Sequence, residues 1–392
     1  MYHPPAQPRR LDKAFFPSWE TQTSIELAHT DSVLACQVLE GSRRALARAI
    51  SRVEDDALGS SLLLSTLYRH TGRAHVVGVT GSPGTGKSTL VAALARLYRS
   101  GGRTVGIVAI DPTSPFSGGA LLGDRVRMRE LAGDPGIFVR SMATRGSLGG
   151  LAHATSDAIT LLDAAGFDRI LVETVGIGQT EVDVAGAAHT VVVVEAPGMG
   201  DDIQALKAGV LEIADVFAVN KADREGADRT ATALQMMQGL VARPNTSRLH
   251  IEAGGGVSGS GRQPDVGNVL PREAWLPPII KTVATRGDGV GALREGIERH
   301  AAYLRETGHF ERRELARAAA TLDRIVRNRL MTELRSELPA GQWDDLVQAV
   351  ARRDLDPYTA AGQITSSGRP QAFGSAGTNR QGVHPVGATE GP

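Results

Sequence analysis

The sequence is short of cysteine, lysine, aromatic side chains and net charge, and it has no long apolar run. A single cysteine, Cys36, excludes an internal disulfide framework and fits a reducing compartment. It falls in a helical pattern, where a buried, inert thiol is expected rather than a nucleophile. Acidic and basic residues number 43 each, so nothing favours bulk attraction to nucleic acid or to an anionic membrane, and neither is expected as a partner. No stretch approaches the roughly 20 apolar residues of a membrane span. The opening MYHPPAQPRRLDKAFF has no apolar core of signal-peptide length. A cytoplasmic globular protein is expected, with 392 residues to build one large core and one or two smaller units.

The lysine shortage is itself informative. Only five of the 43 basic residues are lysine: Lys13, Lys87, Lys207, Lys221 and Lys281. A chain that prefers arginine keeps lysine where a compact ammonium does what a planar guanidinium cannot. Lys87 and Lys221 lie inside the two sharpest motifs of the chain.

Residues 1–30 are polar and aperiodic and read as a flexible arm. From 31 to 72 the pattern is helical, with Val33, Leu34, Val38, Leu39, Leu46 and Ile50 on one apolar stripe. Strand-like runs then alternate with helical segments through 73–300: HVVGVTG, TVGIVAID, IFVRSM, RILVET, TVVVVE, VFAVNK and IIKTVA. Most are continuously apolar, as strands covered on both faces must be. The expected fold is a doubly wound, mostly parallel α/β sheet of about seven strands, with an N-terminal helical layer and a C-terminal helical arm. In such sheets ligands lie beyond the carboxyl ends of the strands. A Gly/Ser-rich stretch at 253–268 reads as a flexible insertion, and 361–392 as a disordered tail. Between them, 301–360 forms the arm, where Leu315, Leu322, Val326 and Leu330 share one face. That face suits packing on its own domain and a subunit contact equally.

GSPGTGKS at 81–88 follows an apolar strand and opens a helix, the setting a phosphate loop requires. Gly81, Ser82, Pro83, Gly84, Thr85, Gly86, Lys87, Ser88 and Thr89 form the cradle. Glycines let backbone amides curl around phosphate oxygens, Lys87 neutralises charge, and the Ser88 hydroxyl suits Mg²⁺. AVNKAD at 218–223 ends another strand with Asn220, Lys221 and Asp223. A carboxylate at Asp223 accepts hydrogen bonds from guanine N1–H and its exocyclic amine, whereas adenine N1 would repel it. The Lys221 stem can cover the purine face. KTVATRG at 281–287 offers the Ala284 N–H to guanine O6. Three carboxylates, Asp111, Asp124 and Glu173, stand where a phosphate-bound cation would sit.

These motifs, with DPTSPFSGGALLGDRVRM, SMATRGSLGGLA, ILVETVGIGQTE, EAPGMGDDIQALKAGVLEIADVFAVNKAD and LPPIIKTVATRGDGV, resemble the methylmalonyl-CoA mutase-associated GTPases of the MeaB/ArgK type, within the SIMIBI class of P-loop GTPases. The resemblance runs from about residue 35 to LDPYTAA at 355–361. It implies a homodimeric GTPase using GTP, GDP and Mg²⁺ that escorts a cobalamin-dependent acyl-CoA mutase, gating adenosylcobalamin delivery and protecting the mutase. It implies that Lys87, Glu173 and the Gly176 N–H serve hydrolysis, and that Ser88, Asp111, Asp124 and Glu173 serve the metal. A switch loop containing Asp201, Gln204 and Lys207 would respond to the mutase. Gln179 lies three residues beyond Gly176 and is weighed as a solvated switch residue rather than a catalytic one. The 253–268 insertion and the long tail depart from the family pattern.

Two other readings stay open at this point. An ATP-dependent small-molecule kinase could use the same fold. A metal-insertion GTPase would need clustered Cys or His, whereas Cys36 is alone and ten histidines are dispersed.

Overall fold

A computed structural model describes residues 22–55, 60–111, 131, 133–143, 150–174, 186–198, 212–241 and 275–367. Seven strands carry the architecture: β1 (His75–Thr80), β2 (Val105–Asp111), β3 (Ile137–Ala143), β4 (Arg169–Glu173), β5 (Thr190–Glu195), β6 (Val216–Val219) and β7 (Ile279–Lys281). They pair in the order β3-β2-β4-β1-β5-β6-β7, every pair parallel. The parallel arrangement brings the carboxyl ends of all seven to one edge. β1 is central, flanked by β4 and β5, so the loop that leaves it is bordered on both sides.

The strands are apolar throughout because each face has its own cover. Val76, Val108, Ile170, Val172, Val193 and Phe217 pack into one core with helices α1 (Gln22–Leu39), α2 (Arg43–Glu54), α3 (Ser60–Tyr68) and α5 (Gly150–Ala164). Val77, Val79, Ile107, Leu171, Val192 and Ala218 pack into the other with α4 (Lys87–Ser100) and α7 (Val290–Glu306). Neighbouring residues of one strand thus serve opposite cores, the period of two hidden within a uniform apolar run. α6 (Ala227–Val241) lies between β6 and β7 in the chain.

The N-terminal helices correct two expectations. Leu34, Val38, Leu46 and Ile50 are buried, but Val33 is 45% and Leu39 37% exposed. Leu34 and Val38, four apart, centre the buried face, and the flanking pair is turned away from it. Cys36 is exposed rather than buried. It lies about 200° around the helix from Leu34, on the solvent side. α1 also starts at Gln22, ahead of the periodic stretch that opens at Asp31.

At the amino edge of the sheet lies a buried polar network. Asp215 accepts from the Val191 N–H at 2.9 Å and from both terminal nitrogens of Arg313 at 3.1 and 2.9 Å. His300 Nε2 lies 3.2 Å from the same carboxylate. The Thr190 hydroxyl sits 2.9 Å from His300 Nδ1 and 2.9 Å from His75 Nε2. Burial holds His300 down at about 4 and His75 well below its usual value, so both rings are neutral at pH 7. The bonds then have one consistent direction: His75 Nε2–H donates to Thr190, Thr190 donates to His300 Nδ1, and His300 Nε2–H donates to Asp215. His189 accepts the Val76 N–H at Nδ1, and its Nε2 meets Glu314 at 2.8 Å. Arg313 and Glu314 belong to the start of α8 (His309–Glu337), so the root of that helix is fastened to the sheet.

The chain divides into two compact units, residues 1–315 and 316–392. The second contains the remainder of α8 with α9 (Gln342–Arg352) and α10 (Pro357–Ser367). Arg335 stacks 4.3 Å over the Trp343 ring, and Asp356 caps α10 by accepting the Tyr358 and Thr359 N–H groups at 3.0 Å each. Leu322, Ile325, Val326, Leu330 and Met331 of α8 are all exposed, as is Leu315 in the first unit. No helix among the described residues is long and apolar enough to cross a membrane.

Candidate functional site

The turn from β1 into α4 is a backbone cradle that only glycine can build. Gly81 has φ +135°, and a Cβ there would lie 2.0 Å from the Val194 carbonyl oxygen of β5. Gly84 and Gly86 are also left-handed, at φ +81° and +91°. Gly86 caps α4 without any side-chain hydrogen bond, so the helix's first N–H groups are served by no capping side chain. Such a helix start, carrying the positive end of the macrodipole, suits phosphate oxygens. Lys87 folds back over the turn, its Nζ donating to the Gly81 and Ser82 carbonyls at 2.8 and 3.0 Å.

Glu173 ends β4 in register with Val79 of β1 and faces the same core as α4. Its Oε1 accepts the Ser88 hydroxyl at 2.6 Å, and the residue is only 4% exposed. A serine that donates its proton to a carboxylate keeps oxygen lone pairs for a cation, and an all-oxygen set of this kind suits Mg²⁺. Asp111 ends β2, which pairs with β4 through Ala109 and Glu173. The Asp111 side chain and all of Asp124 lie outside the described residues, as do Gly176, Gln179, Asp201, Gln204 and Lys207. Among the described residues no group of three or more His, Cys, Asp and Glu side chains is arranged to hold a metal ion.

Asn220, directly after β6, joins the two motifs. Its Nδ2 donates to the Thr85 carbonyl at 2.8 Å, and its Oδ1 accepts from Thr282 Oγ1 at 3.2 Å and from the Ala284 N–H at 3.1 Å. Gly86 must be glycine partly for this reason, since a Cβ would fall 2.5 Å from Asn220 Nδ2. The Ala284 N–H is therefore directed at Asn220 here, and a guanine carbonyl would share or replace that bond. Lys221 has φ +55°, one of two left-handed non-glycine residues among those described. Its Nζ reaches the Gly84 carbonyl at 2.6 Å, which draws its stem across the phosphate loop. Asp223 is exposed beside it.

Sequence reasoning missed three hydroxyl side chains at this edge. Thr282 orients Asn220, and Thr80 and Thr174 bond to each other at 2.9 Å beneath the phosphate loop. Their signal was position alone: each directly adjoins a residue already singled out or the strand that carries it. Glu195 was missed too; it ends β5, is buried, and accepts the Asn220 N–H at its main-chain oxygen at 2.7 Å.

A seven-stranded parallel sheet with this strand–glycine loop–helix turn at its centre defines a P-loop α/β nucleotide hydrolase. Residues 46–338 match the family described as methylmalonyl Co-A mutase-associated GTPase MeaB, and the chain belongs to that family of GTP-hydrolysing, guanine nucleotide-binding proteins. A relative from Pyrococcus horikoshii is 46% identical over 322 residues, covering 82% of this chain and 93% of its own. The Escherichia coli GTPase ArgK is 38% identical over 342 residues, covering 85% of this chain and 95% of its own. The mitochondrial methylmalonic aciduria type A homolog of Caenorhabditis briggsae is 32% identical over 292 residues, covering 70% of this chain and 65% of its own. The crystal structure of an LAO/AO transport system kinase shares the fold at a TM-score of 0.57 and 23% identity, covering 86% of this chain and 97% of the other.

Proposed function

We propose that this chain is a GTP-timed escort of a cobalamin-dependent acyl-CoA mutase, gating adenosylcobalamin delivery and protecting the mutase, with methylmalonyl-CoA as the type substrate of the partner. The observation that carries the nucleotide half is the Ser88–Glu173 bond at the foot of the cradle. It sets a metal-ready hydroxyl and a buried carboxylate beside Lys87 in one arrangement. The mutase half rests on family membership and on the methylmalonic aciduria homolog among its relatives.

In this reading the cradle amides and Lys87 hold the β- and γ-phosphates, and Gly176 N–H stabilises charge that develops on the γ-phosphoryl group. Ser88 and Glu173, with Asp111 and Asp124, hold Mg²⁺, which when bound neutralises phosphate charge. Asn220, Lys221, Asp223 and Ala284 select guanine. No glutamine stands beside Gly176, so turnover is slow for the isolated protein and faster with the mutase. Gln179, Asp201, Gln204 and Lys207 carry the signal between nucleotide and partner. The exposed apolar stripe of α8 supports a homodimer, with the protein working in the cytoplasm.

Asp223→Ala should weaken GTP binding about 100-fold or more, the loss of two charge-assisted hydrogen bonds, and leave ATP binding unchanged or tighter, since the repulsion of adenine N1 goes too. Calorimetric titration with both nucleotides checks this, and equal losses for the two would remove Asp223 from base recognition. For the partner, co-purification with each candidate mutase should show capture that depends on a non-hydrolysable GTP analogue. Capture of none, or full-speed hydrolysis indifferent to every mutase, overturns the escort role.

A further inference from the structure

The end of β4 is tied to both ends of the phosphate loop, through adjacent residues that face opposite sides of the sheet. On the α4 side Glu173 grips Ser88, the residue just after Lys87. On the other side the Thr174 hydroxyl donates to Thr80 Oγ1 at 2.9 Å, and Thr80 is the residue just before Gly81. The Thr174 N–H adds a bond to the Val79 carbonyl at 3.1 Å. Both threonines are sealed from solvent, at 0% and 1% exposure.

Packing alone does not require this pair. Valine has the same branched shape, and two facing valines would fill the space without burying hydroxyls; replacing both partners of a buried bond by apolar groups is close to neutral for stability. What the hydroxyl bond adds is direction. The backbone ladder, with the Thr174 N–H bond to the Val79 carbonyl, sets the spacing of the two strand ends, and the O–H···O bond adds a fixed rotamer on both sides that apolar contact would not supply. Glu173 is one residue from that fixed point and reaches Ser88 at 2.6 Å, so its placement depends on where the strand end is held. A misplacement of about 1 Å at a reacting centre can lower rates by about a hundredfold.

We propose that Thr174 is a positioning residue for GTP hydrolysis. Its bond to Thr80 holds the end of β4 against the start of the phosphate loop and so keeps Glu173 in reach of Ser88. The inference rests on the reading of this edge as the GTP site.

The test compares GTP hydrolysis and nucleotide affinity in Thr174→Val, Thr174→Ser and the double variant Thr80→Val/Thr174→Val, with thermal melting of each. Thr174→Val should lower kcat about tenfold, the size of one lost buried hydrogen bond, while KM for GTP stays within about twofold. Thr174→Ser, which keeps the hydroxyl, should restore most of the rate. The double variant should recover stability and still turn over slowly. Wild-type kcat in Thr174→Val overturns the proposal, as does failure of serine to restore the rate. So does recovery of kcat together with stability in the double variant, since the bond would then matter only for folding. If wild-type protein itself does not hydrolyse GTP, the parent reading fails; if it does and Thr174→Val matches it, only this inference fails.

Discussion

Lys87→Ala should reduce GTP hydrolysis by about a thousandfold in kcat/KM. Two losses combine. The ammonium that would meet the transferring phosphoryl group disappears, and the Gly81 and Ser82 carbonyls lose the donor that holds them turned back at 2.8 and 3.0 Å. Carbonyls released near a phosphate site repel the anion that the amides attract. Lys87→Arg should not rescue the rate, although it keeps the charge. The planar guanidinium is larger, and Lys87 is already buried within a turn closed by Gly81 and Gly86. Single-turnover hydrolysis with equilibrium binding of GTP checks both variants. A Lys87→Ala protein within tenfold of wild type would remove this residue from the chemistry.

Asp215→Ala should destabilise the first unit by about 3–5 kcal/mol, the usual cost of stranding buried charge. It leaves Arg313, His300 and the Val191 N–H without their shared acceptor at the amino edge. Denaturant unfolding followed by circular dichroism and tryptophan fluorescence reads the change, and Trp275 reports locally because its indole donates to the Asp215 carbonyl at 2.8 Å. The same network sets an acid limit on the wild-type fold. His300 titrates at 6.5 when unfolded and at about 4 when folded, because burial disfavours its charged form. Between those values the unfolded chain binds the extra proton, so stability is complete above pH 6.5 and is lost as pH falls towards 4. The difference amounts to about 3 kcal/mol. His75 adds to it in the same direction, again chiefly through burial. His300→Phe should flatten that slope, and an unchanged slope would assign the acid limit to other groups.

The strands were legible in sequence because burial on both faces leaves little but Val, Ile and Ala to choose from. TVVVVE became β5 and VFAV became β6 with hardly a residue's difference. The convergence of Lys87, Ser88, Glu173 and Asn220 followed from the same fact, since parallel strands must deliver their carboxyl-end residues to one edge. Side-chain facing on helices was harder to read. The stripe through Val33 and Leu39 fails because a helix can bury its Leu34–Val38 face against neighbours and still leave adjacent apolar residues outside. The histidines were least legible. His75, His189 and His300 are dispersed along the chain, and only the sheet order, with β1 beside β5 and α7 packed on β5 and β6, brings them together. Hydroxyl pairs such as Thr80–Thr174 leave no pattern either, since threonine suits any strand.

Asn220 bears on how such a protein can diverge. The amide that belongs to the base motif also holds the Thr85 carbonyl of the phosphate loop, and Gly86 is shaped around it. A lineage moving toward another nucleobase could not begin at Asn220, because the first substitution would loosen the grip on every nucleotide at once. Asp223 stands outside that web, exposed at the rim. With Asp223 reading the base as proposed, base preference is open to selection there, while the grip on phosphate is inherited whole.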